Sequence, residues 1–417
     1  MKYKLNQLGD FKNGANYPKD SYGKGDKIVN VKDLFRGRFV DETSLDELKP
    51  GVLRDKSIYQ TEDGDILFTR SSLVRSGAGM CAMIHNPSQC ILFCGFIIRY
   101  RLFDKTSVYP LYLLYLLRSP QYRNLFTGNQ QTNITNINQD SLGDIDVYLP
   151  VDENGDIDYT EQVKLVSVLN ALDDKIALNK KMNQKLEAMA KRLYDYWFVQ
   201  YDFPDKNGLP YKTAGGPMTY NPTLKREIPA GWEVSTLADF AEYVKTTVKF
   251  DKAFNYVSTD NMLAEKQGLS GEILKPASGN VLCYEKNDIL ISNIRPYFKK
   301  IWYADQRGTC STDVLCVRSL NSDNSYFVYR TLWQDDFFDY VMQGAKGSKM
   351  PRGDKTRIMN YPICIAKENF DELIKKFSAL VVPMQAVIQK NTKEITRLTK
   401  LRDKLLPLLM NGQVVVG

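Results

Sequence analysis

The sequence predicts an α+β chain in which a globular domain of mixed strands and helices, followed by a long helix, occurs twice. Two stretches with the heptad spacing of a coiled coil, 161–198 and 371–410, carry most of this prediction. Shorter matches between the segments that precede them indicate an internal repeat. We therefore expect two globular domains separated by two long helices, which pair as an intramolecular antiparallel coiled coil about a pseudo-twofold axis.

The first long helix is predicted over 161–198, because apolar residues recur there at alternating spacings of four and three. At about 1.5 Å per residue, a helix of this length spans roughly 57 Å. Its apolar stripe is narrow, so the helix needs a partner helix to be stable. The stripe consists of Leu165, Leu169, Leu172, Ile176, Asn179, Asn183, Leu186, Ala190, Leu193 and Trp197.

The composition is that of a globular protein without a membrane segment. The chain has 43% hydrophobic and 25% charged residues, no long apolar run and no signal-peptide pattern, which predicts a cytoplasmic protein. The seven cysteines show no CxxC spacing and are expected to be reduced small hydrophobic residues. The net charge of +7 allows an anionic partner without requiring one.

Residues 1–155 contain short apolar runs separated by turn residues, in an order too irregular for a doubly wound sheet. A helix is predicted over 109–125, where Pro110 suits the first turn. Strands are predicted over 65–69, 80–84, 91–100 and 145–149.

The remaining chain divides by composition. Residues 201–230 are rich in proline and glycine and are predicted to form an irregular, non-helical connector. Pro383 is expected to kink the second long helix or to separate 371–382 from it. The predicted segments are thus a first domain at 1–155, a central helix at 156–200, the connector, a second domain at 231–366 and a C-terminal helix at 367–412.

Short matches support the internal repeat. Residues 8–11 (LGDF) match 237–240 (LADF), and 65–67 (DIL) match 288–290. Along the two long helices the matching residues are 212 positions apart. A second helix of the same kind supplies the partner that the first one needs. The residues expected to pair the helices are Leu172, Ile176, Asn179, Leu186, Leu193, Ile388, Asn391, Leu398 and Leu405.

Two asparagines, Asn179 and Asn391, occupy equivalent positions in the two stripes. A polar residue in such a stripe fixes the register of helix pairing at some cost in stability. We hypothesise that Asn179 and Asn391 meet each other across the pseudo-twofold axis. The alternative is that each faces solvent or a partner protein.

The sequence offers little for catalysis. It contains neither a GxxxxGK[ST] phosphate loop nor a GxGxxG turn after a strand. The single histidine, His85, leaves few ways to build a zinc site or a hydrolytic site. The acidic pairs Asp41-Glu42 and Asp173-Asp174 lie in charged contexts typical of solvated surfaces. We therefore expect a protein that is not an enzyme and that binds no cofactor or metal.

Polar and basic loops occupy matching places in both halves, one after the apolar strand at 65–69 or 288–292 and one before the last strand of each domain. Arginine binds phosphate or guanine, and amide side chains can read adenine. One such loop is explained by solvation alone, but four at matching places favour DNA binding. The candidate DNA-binding residues are Arg70, Ser71, Ser72, Arg75, Asn129, Gln130, Gln131, Asn133, Asn136, Asn293, Arg295, Tyr297, Lys299, Lys300, Lys346, Ser348, Lys349, Arg352 and Lys355.

In these features the chain resembles the specificity (S) subunit of type I restriction–modification systems. The motifs are GDILFTRS at 64–71, NDILISNIRP at 287–296 and PAGWE at 229–233. The most specific match is the central helix followed by YDYWF at 194–198 and by Phe203-Pro204. Together the matches extend over nearly the whole chain.

The resemblance implies two target recognition domains, each reading one half of a bipartite site in double-stranded DNA. The paired helices would form a spacer that docks two modification (methyltransferase) subunits. Those partners would use S-adenosylmethionine, and restriction subunits, where present, would use ATP and Mg²⁺, in DNA modification and phage defence. The expected docking surface is the aromatic end of the central helix, Tyr194, Tyr196, Trp197 and Phe198; the C-terminal helix has no such aromatic cluster.

Two other classes of function stay open. A self-contained restriction endonuclease or methyltransferase would need a cofactor or metal motif and would methylate DNA without partners. A coiled-coil scaffold without nucleic-acid binding would show no salt-dependent association with duplex DNA.

Overall fold

The computed structural model describes residues 1–72, 77–127 and 135–414. The chain divides into two compact units: unit 1 comprises Met1–Ile176 and Arg397–Gly417, and unit 2 comprises Ala177–Thr396. Each unit combines strands with helices, which confirms the α+β class. Within the described residues, no helix is long and apolar enough to cross a membrane.

Unit 1 contains short strands and helices before the first long helix. In chain order these are β1 (Lys2–Lys4), α1 (Leu5–Leu8), β2 (Gly9–Asn13), β3 (Tyr22–Val29), β4 (Asp46–Leu48), β5 (Ile66–Thr69), β6 (Ser71–Ser72), β7 (Cys81–Met83), β8 (Ile91–Phe93), β9 (Ile97–Leu102), α2 (Pro110–Arg118), α3 (Pro120–Thr127), β10 (Thr135–Asn136), α4 (Gln139–Gly143) and β11 (Asp146–Tyr148).

The centre of unit 1 is an antiparallel four-stranded sheet in the order β2-β9-β5-β7. A second sheet has the order β4-β3-β8, in which β3 and β8 run parallel, and β1 pairs with β11. Phe68 and Ile98 on the four-stranded sheet are fully buried in one apolar cluster with Leu114 of α2. Leu165 and Leu169 of the first long helix join the same cluster, so this part of the helix completes the core of unit 1.

Two predicted elements of unit 1 are each divided in the structure. The strand predicted over 91–100 forms β8 and β9, with Gly95 between them where a Cβ would lie 2.0 Å from the Asn16 side chain. The helix predicted over 109–125 forms α2 and α3, separated at Ser119 in an extended conformation. The extended conformation follows from Pro120, because a residue before proline is disfavoured in the α region. Pro110 occupies the first turn of α2, as predicted.

The first long helix is α5 (Tyr159–Tyr194), which continues into a π-helical turn at Asp195–Val199. Together these elements match the predicted helix at 161–198. After α5, the elements are β12 (Met218–Asn221), β13 (Arg226–Pro229), β14 (Trp232–Thr236), β15 (Ala241–Tyr243), β16 (Thr247–Lys249), β17 (Asn280–Tyr284), β18 (Ile289–Ser292), β19 (Ile301–Tyr303), β20 (Gly308–Cys310), β21 (Val314–Ser319), α6 (Ser325–Leu332), α7 (Asp335–Gln343), α8 (Lys355–Met359), β22 (Pro362–Ala366) and α9 (Phe370–Met410).

The internal repeat is visible in the sheet topology. The order β15-β21-β18-β19 in unit 2 reproduces β2-β9-β5-β7, and the pair β14-β22 reproduces β1-β11. The three-stranded sheets differ, because β16-β17-β20 is antiparallel throughout. The predicted internal repeat is therefore confirmed for the central sheet of each unit.

The second long helix, α9, is continuous, so the expectation that Pro383 separates 371–382 from the rest is wrong. Phe377 and Val381, six and two residues before Pro383, are fully buried in the apolar core of unit 2. This packing offsets the hydrogen bond that proline cannot make.

The predicted connector also contains regular structure. β12 and β13 form an antiparallel hairpin in which Met218 pairs with Pro229 and Asn221 with Arg226. Ile228 of this hairpin packs with Tyr201 in a small buried cluster of unit 2. The prediction of an irregular stretch is therefore wrong for 218–229, where the hairpin buries its own apolar residue.

Candidate nucleic-acid interface

In each unit the first predicted loop forms the tip of a β-hairpin in the four-stranded sheet. In unit 1, β5 pairs with β7, and the Thr69 N–H donates to the Met80 carbonyl (2.8 Å) at the base of the tip. In unit 2, β18 pairs with β19, and the Ser292 N–H donates to the Lys300 carbonyl (3.1 Å). The two hairpin tips, which begin at Arg70 and at Asn293, therefore occupy equivalent places in the two sheets.

The second predicted loop pairs with the hairpin tip through the backbone in both units. In unit 1, Ser71 is opposite Asn136 in the short ladder of β6 and β10. In unit 2, Ile294 is opposite Arg352 in an antiparallel bridge. The sequence placed these loops in matching order along the chain, and the fold brings the two loops of each unit together in the same way.

Each second loop ends at a capped short helix. Asn138 accepts a hydrogen bond from the Ser141 N–H (2.7 Å) at the start of α4, and Asp354 accepts one from the Arg357 N–H (3.0 Å) at the start of α8. The hydrogen bond from the Arg357 N–H is the main cause of a lowered pKa of Asp354. These caps fix the point at which each loop returns to the core.

A buried aspartate pairs with a half-buried arginine below each hairpin tip. Asp65 accepts two hydrogen bonds from Arg101 (2.8 and 2.7 Å), and Asp288 accepts two from Arg318 (2.8 and 2.6 Å). The two carboxylates are 0% and 2% exposed. Each bidentate bond joins neighbouring strands of the four-stranded sheet and so holds the base of the hairpin.

Sequence reasoning missed these two pairs. It found both aspartates as the first residues of the repeated DIL motif, but it gave them no partner. Arg101 and Arg318 lie near the ends of β9 and β21, and only the strand order shows that they reach Asp65 and Asp288. An arginine near the end of the corresponding strand in both halves was the available signal.

The structure describes part of the predicted site in unit 1. Arg70 is exposed at the start of the tip, and Ser71 is half-buried. Ser72 and Asn136 are placed by their backbone pairing. Arg75, Asn129, Gln130, Gln131 and Asn133 lie outside the described residues.

In unit 2, the hairpin tip exposes an aromatic side chain and engages its lysines internally. Tyr297 is 44% exposed, whereas Asn293 and Arg295 are half-buried. The Lys299 ammonium donates to Asp335 (2.7 Å), and the Lys300 ammonium donates to the Thr259 carbonyl (2.6 Å). Both lysines therefore stabilise the loop itself, a role that the sequence did not suggest.

Asp335, at the start of α7, is the anchor of this hairpin tip. It accepts hydrogen bonds from Lys266 (2.8 Å) and Lys299 (2.7 Å), which lower its pKa to about 2. The hydrogen bond to Asp335 raises the pKa of Lys299, while burial lowers the pKa of Lys266. Two cations sharing one carboxylate thus connect the tip to α7.

The second loop of unit 2 presents several exposed positive charges. Two of its cations have acidic neighbours: Arg352 lies 3.1 Å from Asp313, and Lys346 lies 3.5 Å from Asp354. All five predicted residues of this loop are exposed, namely Lys346, Ser348, Lys349, Arg352 and Lys355.

The long helices run antiparallel where each unit brings them together. In unit 2, Asn179 of α5 donates to Glu394 of α9 (2.8 Å), and Asn391 donates to Asn183 (2.9 Å), so residue numbers rise on α5 as they fall on α9. The residues predicted to pair the helices are all buried or half-buried: Leu172, Ile176, Asn179, Leu186, Leu193, Ile388, Asn391, Leu398 and Leu405.

The hypothesis that Asn179 and Asn391 bond to each other is wrong. Both side chains are buried, but Asn179 bonds to Glu394 and Asn391 bonds to Asn183. The antiparallel register places each asparagine about one helical turn away from the other. The two asparagines still occupy equivalent positions, each with a polar partner on the opposite helix.

Unit 1 joins the helices through a charged network. Arg402 of α9 donates to Asp173 of α5 (2.8 Å), and the Tyr115 hydroxyl donates to the other oxygen of the same carboxylate (2.6 Å). Asp173 is 9% exposed, so the expectation that Asp173-Asp174 is simply a solvated surface is wrong for Asp173. Asp174 is exposed and forms an ion pair with Arg38.

The aromatic end of α5 is not the docking surface expected from the sequence. Tyr194, Trp197 and Phe198 are each 6% exposed and belong to the apolar core of unit 2, in which Phe198 contacts Phe377 with ring centroids 5.2 Å apart. An aromatic cluster beside a partner helix is buried because it removes a large apolar area from water. Tyr196 is 38% exposed, and its docking role stays a prediction.

Over the described residues, the structure contains no group of three or more acidic, histidine or cysteine side chains placed to hold a metal ion. The seven cysteines are free thiols, all buried or half-buried. The described residues of the hairpin tips and second loops offer a ligand hydrogen bonds, positive charge and aromatic surface.

Comparison with known proteins points to one family. Residues 1–188 match the model of the type I restriction modification DNA specificity domain. The whole chain is similar to the type I restriction enzyme MjaIX specificity subunit of Methanocaldococcus jannaschii, with 24% identity over 99% of this chain and 93% of the relative. The chain is thus similar, over nearly its whole length, to type I restriction–modification specificity subunits.

Two further comparisons agree with this family. The type I restriction enzyme HindI specificity subunit of Haemophilus influenzae is 22% identical over 93% of this chain and 94% of the relative. The crystal structure of an S subunit from M. genitalium has the same fold, with a TM-score of 0.57, 16% identity and coverage of 98% of this chain and 95% of that chain.

Proposed function

We propose that this chain is the specificity subunit of a type I restriction–modification complex in the cytoplasm, a non-catalytic subunit that recognises DNA. Unit 1 and unit 2 each read one half of a bipartite target in double-stranded DNA, through the hairpin tip and the loop paired with it. The paired stretches of α5 and α9 serve as a spacer and hold two methyltransferase subunits. Those partners supply S-adenosylmethionine, and restriction subunits, where they join, supply the ATP- and Mg²⁺-dependent steps.

The observation that carries this proposal is the repeated pairing of hairpin tip and second loop. The backbone contact is the same in both units, Ser71 with Asn136 and Ile294 with Arg352, whereas the side chains around it differ. The second loop of unit 1 is rich in amides over 129–138, and that of unit 2 carries four Lys or Arg residues over 346–355. One scaffold with two sets of polar side chains is what two readers of different base sequences require.

Exposed cations contribute mainly to affinity, and side chains that form paired hydrogen bonds contribute to specificity. Exposed cations such as Lys349 and Lys355 can neutralise phosphates, a contribution that weakens steeply as salt concentration rises. Amide and arginine side chains near the backbone bridges can form paired hydrogen bonds with base edges. The Asp65–Arg101 and Asp288–Arg318 pairs stabilise the sheets that position both the exposed cations and the side chains that can contact base edges.

The decisive experiment exchanges one reader. Residues 1–155 are replaced by the corresponding segment of another specificity subunit, and the chimera is expressed with its methyltransferase subunit. Genome-wide mapping of methylated bases should show that one half of the target changes while the other half and its spacer are retained. A change in both halves together would refute the model of two independent readers.

A biochemical assay separates this function from its two rivals. The purified chain should bind duplex DNA with an affinity that falls linearly on logarithmic axes as salt rises, and it should transfer no methyl group from S-adenosylmethionine by itself. Methylation by the isolated chain would support an enzyme instead. Absence of any duplex binding, with or without the methyltransferase subunit, would support a scaffold.

A further inference from the structure

The hairpin tip of unit 2 has an unusual backbone. It contains a 3-10 turn at Pro296–Phe298 that is flanked by Arg295 and Lys299, both in the left-handed region with φ of 51°. L-amino acids with side chains rarely adopt this conformation, and it persists only where the surroundings impose it. Two such residues around one turn indicate a tip that is held in a specific shape.

The tip is braced by backbone hydrogen bonds from two other segments. The Arg295 N–H donates to the Pro351 carbonyl (2.8 Å) of the second loop. The Glu265 N–H donates to the Phe298 carbonyl (2.9 Å), and the Lys266 N–H donates to the Lys299 carbonyl (3.0 Å).

Side-chain bonds complete the bracing. Lys266 and Lys299 share Asp335 at the start of α7, and Lys300 donates to the Thr259 carbonyl. The lysines that the sequence assigned to DNA therefore hold the tip in place. Conformational freedom of the tip is removed before any ligand binds, which lowers the entropic cost of binding.

This rigid tip presents aromatic rings to solvent. Tyr297 is 44% exposed and Phe298 is 38% exposed, and their ring centroids lie 4.7 Å apart. Aromatic rings gain free energy by burial, so a strained and braced turn that leaves two of them partly exposed does not serve stability. The adjoining second loop carries exposed Lys349 and Lys355, so the surroundings favour an anionic partner.

We propose that Tyr297 and Phe298 form an aromatic wedge that stacks on bases at one step of the DNA half-site read by unit 2. Stacking on a ring face tolerates sequence and does not depend on counterion release, so the wedge adds affinity that salt does not remove. It also unstacks one base step and so favours easily deformed steps at its position. The matching segment of the first half, Leu73-Val74-Arg75, has no aromatic residue, so the wedge acts on one half-site only.

This inference rests on the proposed function, and its test separates the two. The full chain, expressed with its methyltransferase subunit, selects duplexes from a randomised library. One selected duplex is then used to measure affinity across a salt series for the wild type and for the double variant Y297A/F298A. The matched control is Y220A, since Tyr220 is 62% exposed on β12 of the same unit.

The double variant should bind about 5- to 150-fold more weakly at every salt concentration, with an unchanged slope against salt. The control should bind like the wild type. The conservative variant Y297F/F298Y should retain most of the affinity. With 2-aminopurine placed in turn at each position, binding of the wild type should raise fluorescence at one step of one half-site, and the double variant should lose this signal.

Three outcomes would overturn the wedge. They are a double variant that binds as tightly as the wild type, a loss of affinity accompanied by a shallower salt slope, and an equal effect on both half-sites. All three leave DNA recognition by the chain intact, because the wild type still binds DNA in them. A wild type that selects no duplex at all would instead refute the proposed function and the wedge with it. Thermal unfolding of each variant verifies that the tip folds.

Discussion

Unit 1 and unit 2 share a central sheet and differ in what surrounds it. The four-stranded sheets have the same strand order, and each contains a buried aspartate that accepts two hydrogen bonds from an arginine on the neighbouring strand. The adjoining three-stranded sheets differ, with a parallel pair in unit 1 and antiparallel pairs alone in unit 2. The repeat is thus preserved where it positions the hairpin tip and has diverged next to it.

The helix contacts of the two units also differ in chemistry. Unit 1 joins α5 and α9 through Asp173, which binds Arg402 and Tyr115. Unit 2 has an ion pair between α5 and α6, where Arg330 is fully buried and donates to Glu187 (2.7 Å). A buried charge is costly without its partner, so these contacts specify which surfaces pack together in each unit.

The largest expected effect comes from breaking the shared aspartate–arginine pair. Arg101→Met should destabilise unit 1 by about 3–5 kcal/mol, because it leaves the buried Asp65 carboxylate without its cation. Arg318→Met should cost unit 2 less, since the Arg318 side chain is 40% exposed against 21% for Arg101. Urea unfolding followed by fluorescence measures both. Equal and small losses, below about 1 kcal/mol, would show that the pair is not what maintains the sheets.

The next effect concerns the Glu187–Arg330 ion pair of unit 2. Glu187→Leu should destabilise the chain by roughly 3 kcal/mol, because Arg330 would remain buried without a carboxylate. The double variant Glu187→Leu/Arg330→Met should recover most of that loss. Arg402→Met in unit 1 is the comparison and should cost about 1–2 kcal/mol, since Asp173 keeps the hydrogen bond from Tyr115. A larger loss for Arg402→Met than for Glu187→Leu would show that the Asp173 network of unit 1 contributes more stability than the Glu187–Arg330 pair of unit 2.

A smaller effect tests the register of the helices. A double-mutant cycle of Asn183→Ala and Asn391→Ala should give a coupling energy of about 0.5–1 kcal/mol, because these side chains are hydrogen-bonded at 2.9 Å. The cycle of Asn179→Ala and Asn391→Ala should give less than about 0.5 kcal/mol, because each has another partner. The opposite ranking would restore the direct asparagine pair that the sequence suggested. Equilibrium unfolding provides all the values.

The smallest effect depends on pH and is specific to the tip of unit 2. The pKa of Asp335 is lowered to about 2 by hydrogen bonds from Lys266 and Lys299. Its folded pKa lies below its unfolded value near 3.8, so the contribution is present above that value and is lost as pH falls towards about 2. The stability difference between wild type and Asp335→Asn should be constant from pH 7 to 5 and shrink below about pH 4. A stability difference between wild type and Asp335→Asn that stays constant down to pH 2 would contradict the lowered pKa of Asp335.

The sequence by itself determined the broad plan, because periodicity and repetition are local properties of the chain. The heptad stripes predicted α5 and α9 to within a few residues, and the DIL motifs located both hairpins. The resemblance to type I specificity subunits followed from the same motifs, since they occur in the same order over nearly the whole chain. Periodicity and repeated motifs can be detected along the sequence without knowing which residues contact one another.

Only the tertiary structure decided which residues meet. It paired each hairpin tip with its second loop, gave Asp65 and Asp288 their arginine partners, and moved the contacts of Asn179 and Asn391 by one turn. It also buried the aromatic end of α5 that the sequence assigned to a partner subunit. The physical reason is the same each time: burial and hydrogen bonding depend on neighbours distant in the chain, which no pattern along one strand or helix contains.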